Sequence, residues 1–190
     1  MDLGLTDRVY LVTGGSTGRG FAAACALVDE GARVVLAARS PDTVAAAAER
    51  LGAHAIGVAA DLADPSAPAT LIQAARAHFG RLDGCLISVG GPPAGTVLTT
   101  TETQWRAAFD SVFLGSVRMA REVAQALLEA GTAAGSAIAV VLSTSAVEVF
   151  TGLSTSNGLR PGLAMLVSDL ADEVGPAGLR VMGLLPGRIG

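Results

Sequence analysis

The chain has 190 residues, of which 51% are hydrophobic and 16% charged, and its formal net charge is −4 at pH 7. This length fits one domain spanning residues 1–190, and the acidic balance excludes the basic surface that nucleic-acid binding requires. No apolar run is long enough to span a membrane, and the N-terminus lacks a signal-peptide pattern, so we expect a cytoplasmic protein.

The first elements form a strand, a glycine-rich turn and a helix. Residues 8–13 predict a buried strand, and the run TGGSTGRG over residues 13–20 leads into a helix that stops at Gly31. A second strand is predicted over residues 33–38. Glycines between a strand and a helix let phosphate oxygens approach the backbone and the positive end of the helix dipole. This context predicts that the turn binds a dinucleotide.

Arg39 ends the second predicted strand and bears on which dinucleotide is bound. Proteins that bind NAD(H) have an acidic residue at about this distance from the glycines, whereas an arginine favours the 2′-phosphate of NADP(H). Ser16 could add a hydroxyl donor. NADP(H) is therefore preferred and NAD(H) remains possible; the alternative is that Arg39 is a surface residue at the start of a loop.

Strands and helices keep alternating to the end of the chain. Further strands are predicted over residues 54–60, 82–88, 136–143 and 179–185, and helices over residues 65–79, 102–130 and 156–174. The pattern predicts an α/β fold, a doubly wound, Rossmann-like parallel sheet in three α/β/α layers. Residues 90–95 are rich in Gly and Pro and follow a strand, so we expect them to line the ligand crevice. No residues have the spacing of metal ligands, and no metal site is predicted.

With these motifs in place, the chain resembles the short-chain dehydrogenase/reductase family over essentially its whole length. Residues 13–20 match the family's TGxxxGxG motif, and Asp61-Leu62 matches the pair that meets the adenine. Residues 89–91 (Val-Gly-Gly) follow the fourth strand, where the family has Asn-Asn-Ala-Gly. Pro186-Gly187 matches the Pro-Gly at the nicotinamide end of the cofactor.

The resemblance also assigns the catalytic positions. Ser143 ends the fifth strand and matches the family's catalytic serine. The family has a tyrosine thirteen residues later and a lysine four residues beyond that, where this chain has Ser156 and Arg160. The asparagine that the family has in its long helix falls on Val112. Ser143, Ser156 and Arg160 are therefore the expected catalytic residues, and Ser143 and Ser145 could still bind a carbonyl oxygen.

The composition shows that these departures do not depend on the alignment. The chain has no lysine, its single tyrosine is Tyr10 in the first predicted strand, and its single asparagine is Asn157. No shift of register therefore restores a Tyr-x-x-x-Lys pair. A serine hydroxyl is far less acidic than a phenol, whose pKa is about 10, and is a poor substitute in proton transfer. Arg160 keeps its positive charge and could hold the cofactor ribose.

The expected cofactor-binding residues come from the glycine turn, the ends of the strands and the last predicted helix. They are Gly14, Ser16, Thr17, Gly18, Gly20, Arg39, Asp61, Leu62, Val89, Gly90, Gly91, Arg160, Pro186 and Gly187.

Two hypotheses follow for the function. The first is an NADP(H)-dependent oxidoreductase that acts slowly on the carbonyl or alcohol group of a small molecule, because losing one proton-transfer group typically costs about 10²–10⁴-fold in rate. The alternative is a non-catalytic NADP(H)-binding sensor or scaffold subunit. The resemblance also implies a homodimer or homotetramer formed through the helices that follow Glu102 and Ser156. Since family members continue beyond the position of Gly190, we expect a truncation before a substrate loop and a last strand.

Overall fold

Six parallel strands form one sheet in the order β3–β2–β1–β4–β5–β6. The computed structural model describes residues 3–187. The strands are β1 (Val9–Thr13), β2 (Arg33–Ala38), β3 (Ala55–Ala59), β4 (Gly84–Ile87), β5 (Ala137–Val141) and β6 (Arg180–Leu184). The chain runs outward from β1 to β3 and then returns to place β4 on the other side of β1. This reversal opens a crevice at the carboxyl ends of β1 and β4, where sheets of this kind bind ligands.

The helices lie between the strands, as the alternation predicts. They are α1 (Gly18–Asp29), α2 (Pro41–Leu51), α3 (Ala67–Phe79), α4 (Glu102–Ala108), α5 (Gly115–Glu129) and α6 (Ser154–Val174). The helix predicted over residues 102–130 is present, but its middle, Phe109–Leu114, is π-helical and separates α4 from α5. None of the helices described in residues 3–187 has the length and apolarity that crossing a membrane demands.

Apolar side chains cover both faces of the sheet, since alternate strand residues point to opposite sides. Leu11 and Val35 contribute to the larger core with α3, α5 and α6, whereas Val12 and Leu36 pack with α1 and α2. All four side chains have no exposed surface. The three-layer α/β/α prediction is confirmed.

Two glycines bring α6 close to α4 and the π-helical segment. A Cβ atom at Gly158 would lie 2.8 Å from the Trp105 ring, and one at Gly162 would lie 3.2 Å from the Phe113 ring. The aromatic rings therefore occupy the space that side chains on this face of α6 would need. This packing fixes the first turns of α6, and with them the position of Arg160, against the end of the sheet.

A buried carboxylate joins the strands at the opposite, amino end of the sheet. Asp83 is 2% exposed, and it accepts hydrogen bonds from the Val9 backbone N–H (2.9 Å) and from Arg81 Nε and Nη2 (2.8 and 2.7 Å). Arg8 Nη1 lies 3.5 Å from its Oδ1. Bidentate pairs of this kind are stronger than ordinary hydrogen bonds, so Asp83 ties β1 to the segment leading into β4.

We expect Asp83→Ala to lower the free energy of unfolding by about 3 kcal/mol, because it leaves the buried Val9 N–H without its partner and removes the ion pair. The matched control is Glu122→Ala, which removes the partly exposed ion pair with Arg121 on α5 and should cost about 1 kcal/mol at most. Urea denaturation of both variants measures the difference. Equal losses would show that Asp83 does not hold the strands together.

Candidate functional site

The glycine turn forms the floor of the crevice. Gly14 and Gly18 have φ values of 58° and 56°, in the left-handed region that favours glycine. A Cβ atom at Gly20 would lie 2.2 Å from the Gly14 carbonyl oxygen, so only a glycine lets α1 begin this close to β1. Thr13 Oγ1 donates to the Ser88 carbonyl (2.8 Å) and accepts from the Ser88 N–H (2.9 Å). The turn is thereby fixed to the end of β4.

The N-terminus of α1 is left open to a ligand. Its N-cap residue, Thr17, makes no side-chain hydrogen bond to the helix. The first N–H groups of a helix have no partner within it, and together with the helix dipole they attract anions. Ser16 is half-buried beside them and Arg19 is exposed. The turn therefore has the donors, the charge and the space that a diphosphate needs.

The residues expected to contact the adenosine half lie at the ends of β2 and β3. Arg39 is exposed and forms no ion pair within residues 3–187. Asp61 is also exposed, and its Oδ1 accepts a hydrogen bond from the Ala63 N–H at 3.0 Å. Leu62 is buried in the core against Gly115, where an added Cβ would approach the Leu62 Cβ to 2.9 Å. By packing against α5, Leu62 thus holds the segment that follows β3 in place.

A pair of serine hydroxyls lies beyond the end of β5. The Ser145 and Ser156 Oγ atoms are 2.9 Å apart and both side chains are buried. Ser143, the position singled out by the thirteen-residue spacing, instead accepts a hydrogen bond from the Ser145 N–H at 3.2 Å and caps a short 3₁₀ turn. The sequence offers both Ser143 and Ser145 as hydroxyls that could bind a carbonyl oxygen, but it does not predict that Ser145 pairs with Ser156. The run Ser143-Thr144-Ser145 was the available signal, but spacing alone does not show which hydroxyl turns inward.

Arg160 lies one helical turn after Ser156 and is 4% exposed. Its Nη1 donates to the Val141 carbonyl at 2.6 Å, while its Nε has no hydrogen-bond partner in the part of the chain that the structure describes. Burial lowers the pKa of Arg160 well below its ordinary value, to about 10, and the nearby Arg19 guanidinium adds a smaller decrease. Arg160 is therefore still a cation at neutral pH. A shift of this size corresponds to about 3 kcal/mol against the folded protein.

The other positions matched to the family's catalytic pattern have structural roles. Val112 is buried within the π-helical segment, and its carbonyl accepts a hydrogen bond from Ser116 Oγ at 2.7 Å. Asn157 clamps the loop before α6, since its Oδ1 accepts from the Phe150 N–H (3.1 Å) and its Nδ2 donates to the Phe150 carbonyl (2.8 Å). The chain's single asparagine is thus engaged with backbone.

Two loops meet above the serine pair. Gly95 donates to the Gly152 carbonyl (2.8 Å) and accepts from the Ser154 N–H (3.0 Å), and the Thr100 and Ser154 hydroxyls are 2.9 Å apart. The expected residues Val89, Gly90 and Gly91 begin the first of these loops, and Pro186 and Gly187 follow β6. All five therefore follow the carboxyl ends of strands, at the same edge of the sheet as the glycine turn. Within residues 3–187, no three His, Cys, Asp or Glu side chains form a group that could hold a metal ion.

Comparisons with known proteins agree with this arrangement. A family profile described as short chain dehydrogenase matches residues 8–190. An uncharacterised oxidoreductase of Mycobacterium tuberculosis is 32% identical over 188 residues, which cover 97% of this chain and 70% of that protein. The 1-deoxy-11-beta-hydroxypentalenate dehydrogenase of Streptomyces avermitilis is 30% identical over 190 residues, with the same two coverages.

Solved structures share the fold over nearly the whole chain. L-Sorbose reductase from Gluconobacter frateurii, complexed with NADPH and L-sorbose, has a TM-score of 0.91 and 30% identity, and the match covers 98% of this chain and 72% of that one. A short-chain dehydrogenase from Streptomyces avermitilis has a TM-score of 0.88 and 28% identity, with coverages of 96% and 67%.

We expect Gly20→Ala to lower the free energy of unfolding by about 2 kcal/mol, because the added methyl group meets the Gly14 carbonyl and forces the turn to move. Gly175→Ala is the matched control. Its backbone φ is −55°, and nothing lies within 4 Å of the added Cβ, so it should be neutral or slightly stabilising. Chemical denaturation measures both; a Gly20→Ala protein as stable as the control would contradict the packing described for the turn.

Proposed function

The chain belongs to the short chain dehydrogenase family, and from this premise we propose that it is an NADP(H)-dependent oxidoreductase acting on the carbonyl or alcohol group of a small molecule. One observation carries the proposal: the open, glycine-lined N-terminus of α1 leads to a crevice bordered by the Ser145–Ser156 hydroxyl pair and the buried cation of Arg160. These are binding groups for a dinucleotide and for a polar oxygen at the same edge of the sheet.

The preference for NADP(H) is supported by the charge at the end of β2. Arg39 is exposed and free of ion pairs within the described residues, so its guanidinium can accept a 2′-phosphate in bidentate geometry. The position lacks the acidic side chain that would hold the ribose hydroxyls of NAD(H). The sorbose reductase that resembles this chain was solved with NADPH.

The chain's own residues supply oxygen binding and charge. Hydride transfer to or from the substrate carbon is the chemistry that the nicotinamide provides when bound. Two hydroxyls that share one hydrogen bond retain one free donor, so the Ser145–Ser156 pair can donate to the substrate oxygen. The Arg160 cation lowers the energy of negative charge on that oxygen. Water delivers the proton, because neither serine is acidic enough to do so.

The direct test is oxidation of NADPH against a broad panel of small carbonyl compounds. We expect slow turnover that falls at least about tenfold in Ser156→Ala and in Ser145→Ala, because each removes one member of the oxygen-binding pair. Ser168→Ala is the control, since its hydroxyl lies on the same helix but is exposed and donates to the Ala164 carbonyl. If Ser156→Ala were as active as this control, the Ser145–Ser156 pair would have no part in turnover.

A second candidate is a non-catalytic NADP(H)-binding sensor or scaffold subunit. It is favoured by the residues at three matched positions, where Ser156, Arg160 and Val112 replace the family's Tyr, Lys and Asn. NADPH binding without any turnover across the panel would support it over the oxidoreductase. Absence of NADPH binding would reject both candidates.

We expect Arg39→Leu to weaken NADPH binding at least about tenfold and to change NADH binding less than twofold, since only NADPH carries the 2′-phosphate. Arg106→Leu is the control, because Arg106 is an exposed arginine on α4 that pairs with Glu102. Dissociation constants from calorimetry decide the outcome. Equal losses for the two nucleotides would show that Arg39 does not select the cofactor.

We further propose a homodimer through the surface of α5 and α6. Met165 is 71% exposed and Leu166 is 38% exposed on α6. An apolar groove between these two helices is lined by Val117, Ala120, Leu163 and Val167. Exposed apolar surface of this kind marks protein interfaces.

Cys25 and Cys85 are free thiols, which supports a location in the reducing cytoplasm.

We expect Leu166→Glu to convert the dimer to a monomer, because Leu166 lines the groove between α5 and α6 and the change places a charge there. Leu3→Glu, a change at an exposed leucine outside α5 and α6, should leave the dimer intact. Sedimentation velocity at several concentrations measures the mass of each variant. A dimer that persists in Leu166→Glu with the wild-type dissociation constant would place the interface elsewhere.

A further inference from the structure

Asp83 and Arg160 are the two charged side chains buried within residues 3–187. Asp83 has an arginine bonded to both of its carboxylate oxygens and a backbone N–H as a further donor. Arg160 forms no ion pair with any residue in that range. The fold therefore neutralises one buried charge and leaves the other without a counter-ion.

The unpaired charge of Arg160 opposes folding. One donor, Nη1, is satisfied by the Val141 carbonyl, but Nε has no partner among the described residues. The neighbouring charge is another cation, Arg19, and the depressed pKa of Arg160 reflects both burial and this repulsion. A buried charge is tolerated at such a position only if something else compensates it.

The location of Arg160 shows what can compensate it. Val141, its hydrogen-bond partner, is the last residue of β5, Ser156 precedes it by one turn of α6, and Arg19 belongs to the glycine turn. The guanidinium thus lies at the carboxyl end of β5, one helical turn after Ser156, and near enough to Arg19 for the two charges to interact. Neutral ribose hydroxyls at this point would accept hydrogen bonds but would leave the charge in place. A negatively charged oxygen would satisfy the donors and neutralise the charge.

We propose that Arg160 is an anion receptor, kept unpaired at a cost to the stability of the free protein, and that the ligand of the crevice brings a negatively charged oxygen to it. The inference rests on the proposed dinucleotide site. The anionic oxygen has two sources, the diphosphate of the dinucleotide and a carboxylate carried by the substrate. In the second case the substrate is an oxo acid or hydroxy acid.

The first experiment measures the free protein by thermal unfolding. Arg160→Met keeps an unbranched side chain of similar reach but removes the charge, and we expect its melting temperature to rise by about 3 °C or more. Arg76→Met is the matched control, since Arg76 also donates one hydrogen bond to a backbone carbonyl, that of Ala126, on the α3–α5 surface. It should show no rise. An Arg160→Met protein that is no more stable than wild type would contradict the proposal that the buried charge of Arg160 lowers the stability of the free protein.

The second experiment measures binding by calorimetry with NADPH, and then with NADPH present and 3-oxobutanoate or its methyl ester added. If the diphosphate is the anion, NADPH binding weakens at least about tenfold in Arg160→Met and much less in Arg160→Lys, which keeps the charge. If a substrate carboxylate is the anion, wild type binds the acid at least about tenfold more tightly than the ester, and Arg160→Met loses this preference. Either result supports the proposal.

The proposal is overturned if NADPH affinity in Arg160→Met stays within twofold of wild type and the acid shows no advantage over its ester. Wild-type protein that does not bind NADPH would reject the proposed function, while the melting temperatures of the free proteins would still report on the unpaired charge. If Arg160→Met does not fold, Arg160→Gln, which removes the charge but keeps hydrogen-bond donors, takes its place in both experiments with the same expected and contradicting results.

Discussion

The close approach of α1 to the end of β1 is the constraint on which the rest of the site depends. Gly14 and Gly20 allow it, because a Cβ at Gly20 would collide with the Gly14 carbonyl. The hydrogen bonds between Thr13 and Ser88 then place the end of β4 beside the same turn. With β1 and β4 adjacent, the loops after β4 and β5 are brought over one crevice, and the open helix N-terminus faces it.

The chemistry at the other side of the crevice depends on burial. A solvated arginine keeps its hydration on folding, whereas Arg160 is enclosed between α6 and β5. Burying its charge therefore costs free energy of folding. The same low-dielectric surroundings would strengthen its interaction with an anion. Active sites commonly hold groups in states that lower the stability of the free protein. Asp83, with its full set of partners at the amino end of the sheet, shows how the same fold treats a buried charge that serves only stability.

Much of the fold was predictable because its signals are local. The alternation of apolar runs with helical segments predicted the six strands and the helices between them, and the TGGSTGRG run predicted the dinucleotide turn, since glycine is needed wherever backbone approaches this closely. The interruption at Phe109–Leu114 was not predicted. It occurs where the rings of Trp105 and Phe113 pack on α6, and such a contact between distant segments has no pattern along the chain.

The features of the candidate site also fall into those that the sequence predicts and those that depend on contacts between distant segments. The sequence by itself determined which chemical groups are available: glycines for a phosphate, an arginine after the second strand, and serine and arginine at the positions where relatives of this family have tyrosine and lysine. Only the tertiary structure decided that Ser145 rather than Ser143 meets Ser156, and that Arg160 is buried with no counter-ion among residues 3–187. Side-chain identity is written in the sequence, but pairing and desolvation arise only when β5, α6 and the glycine turn pack together.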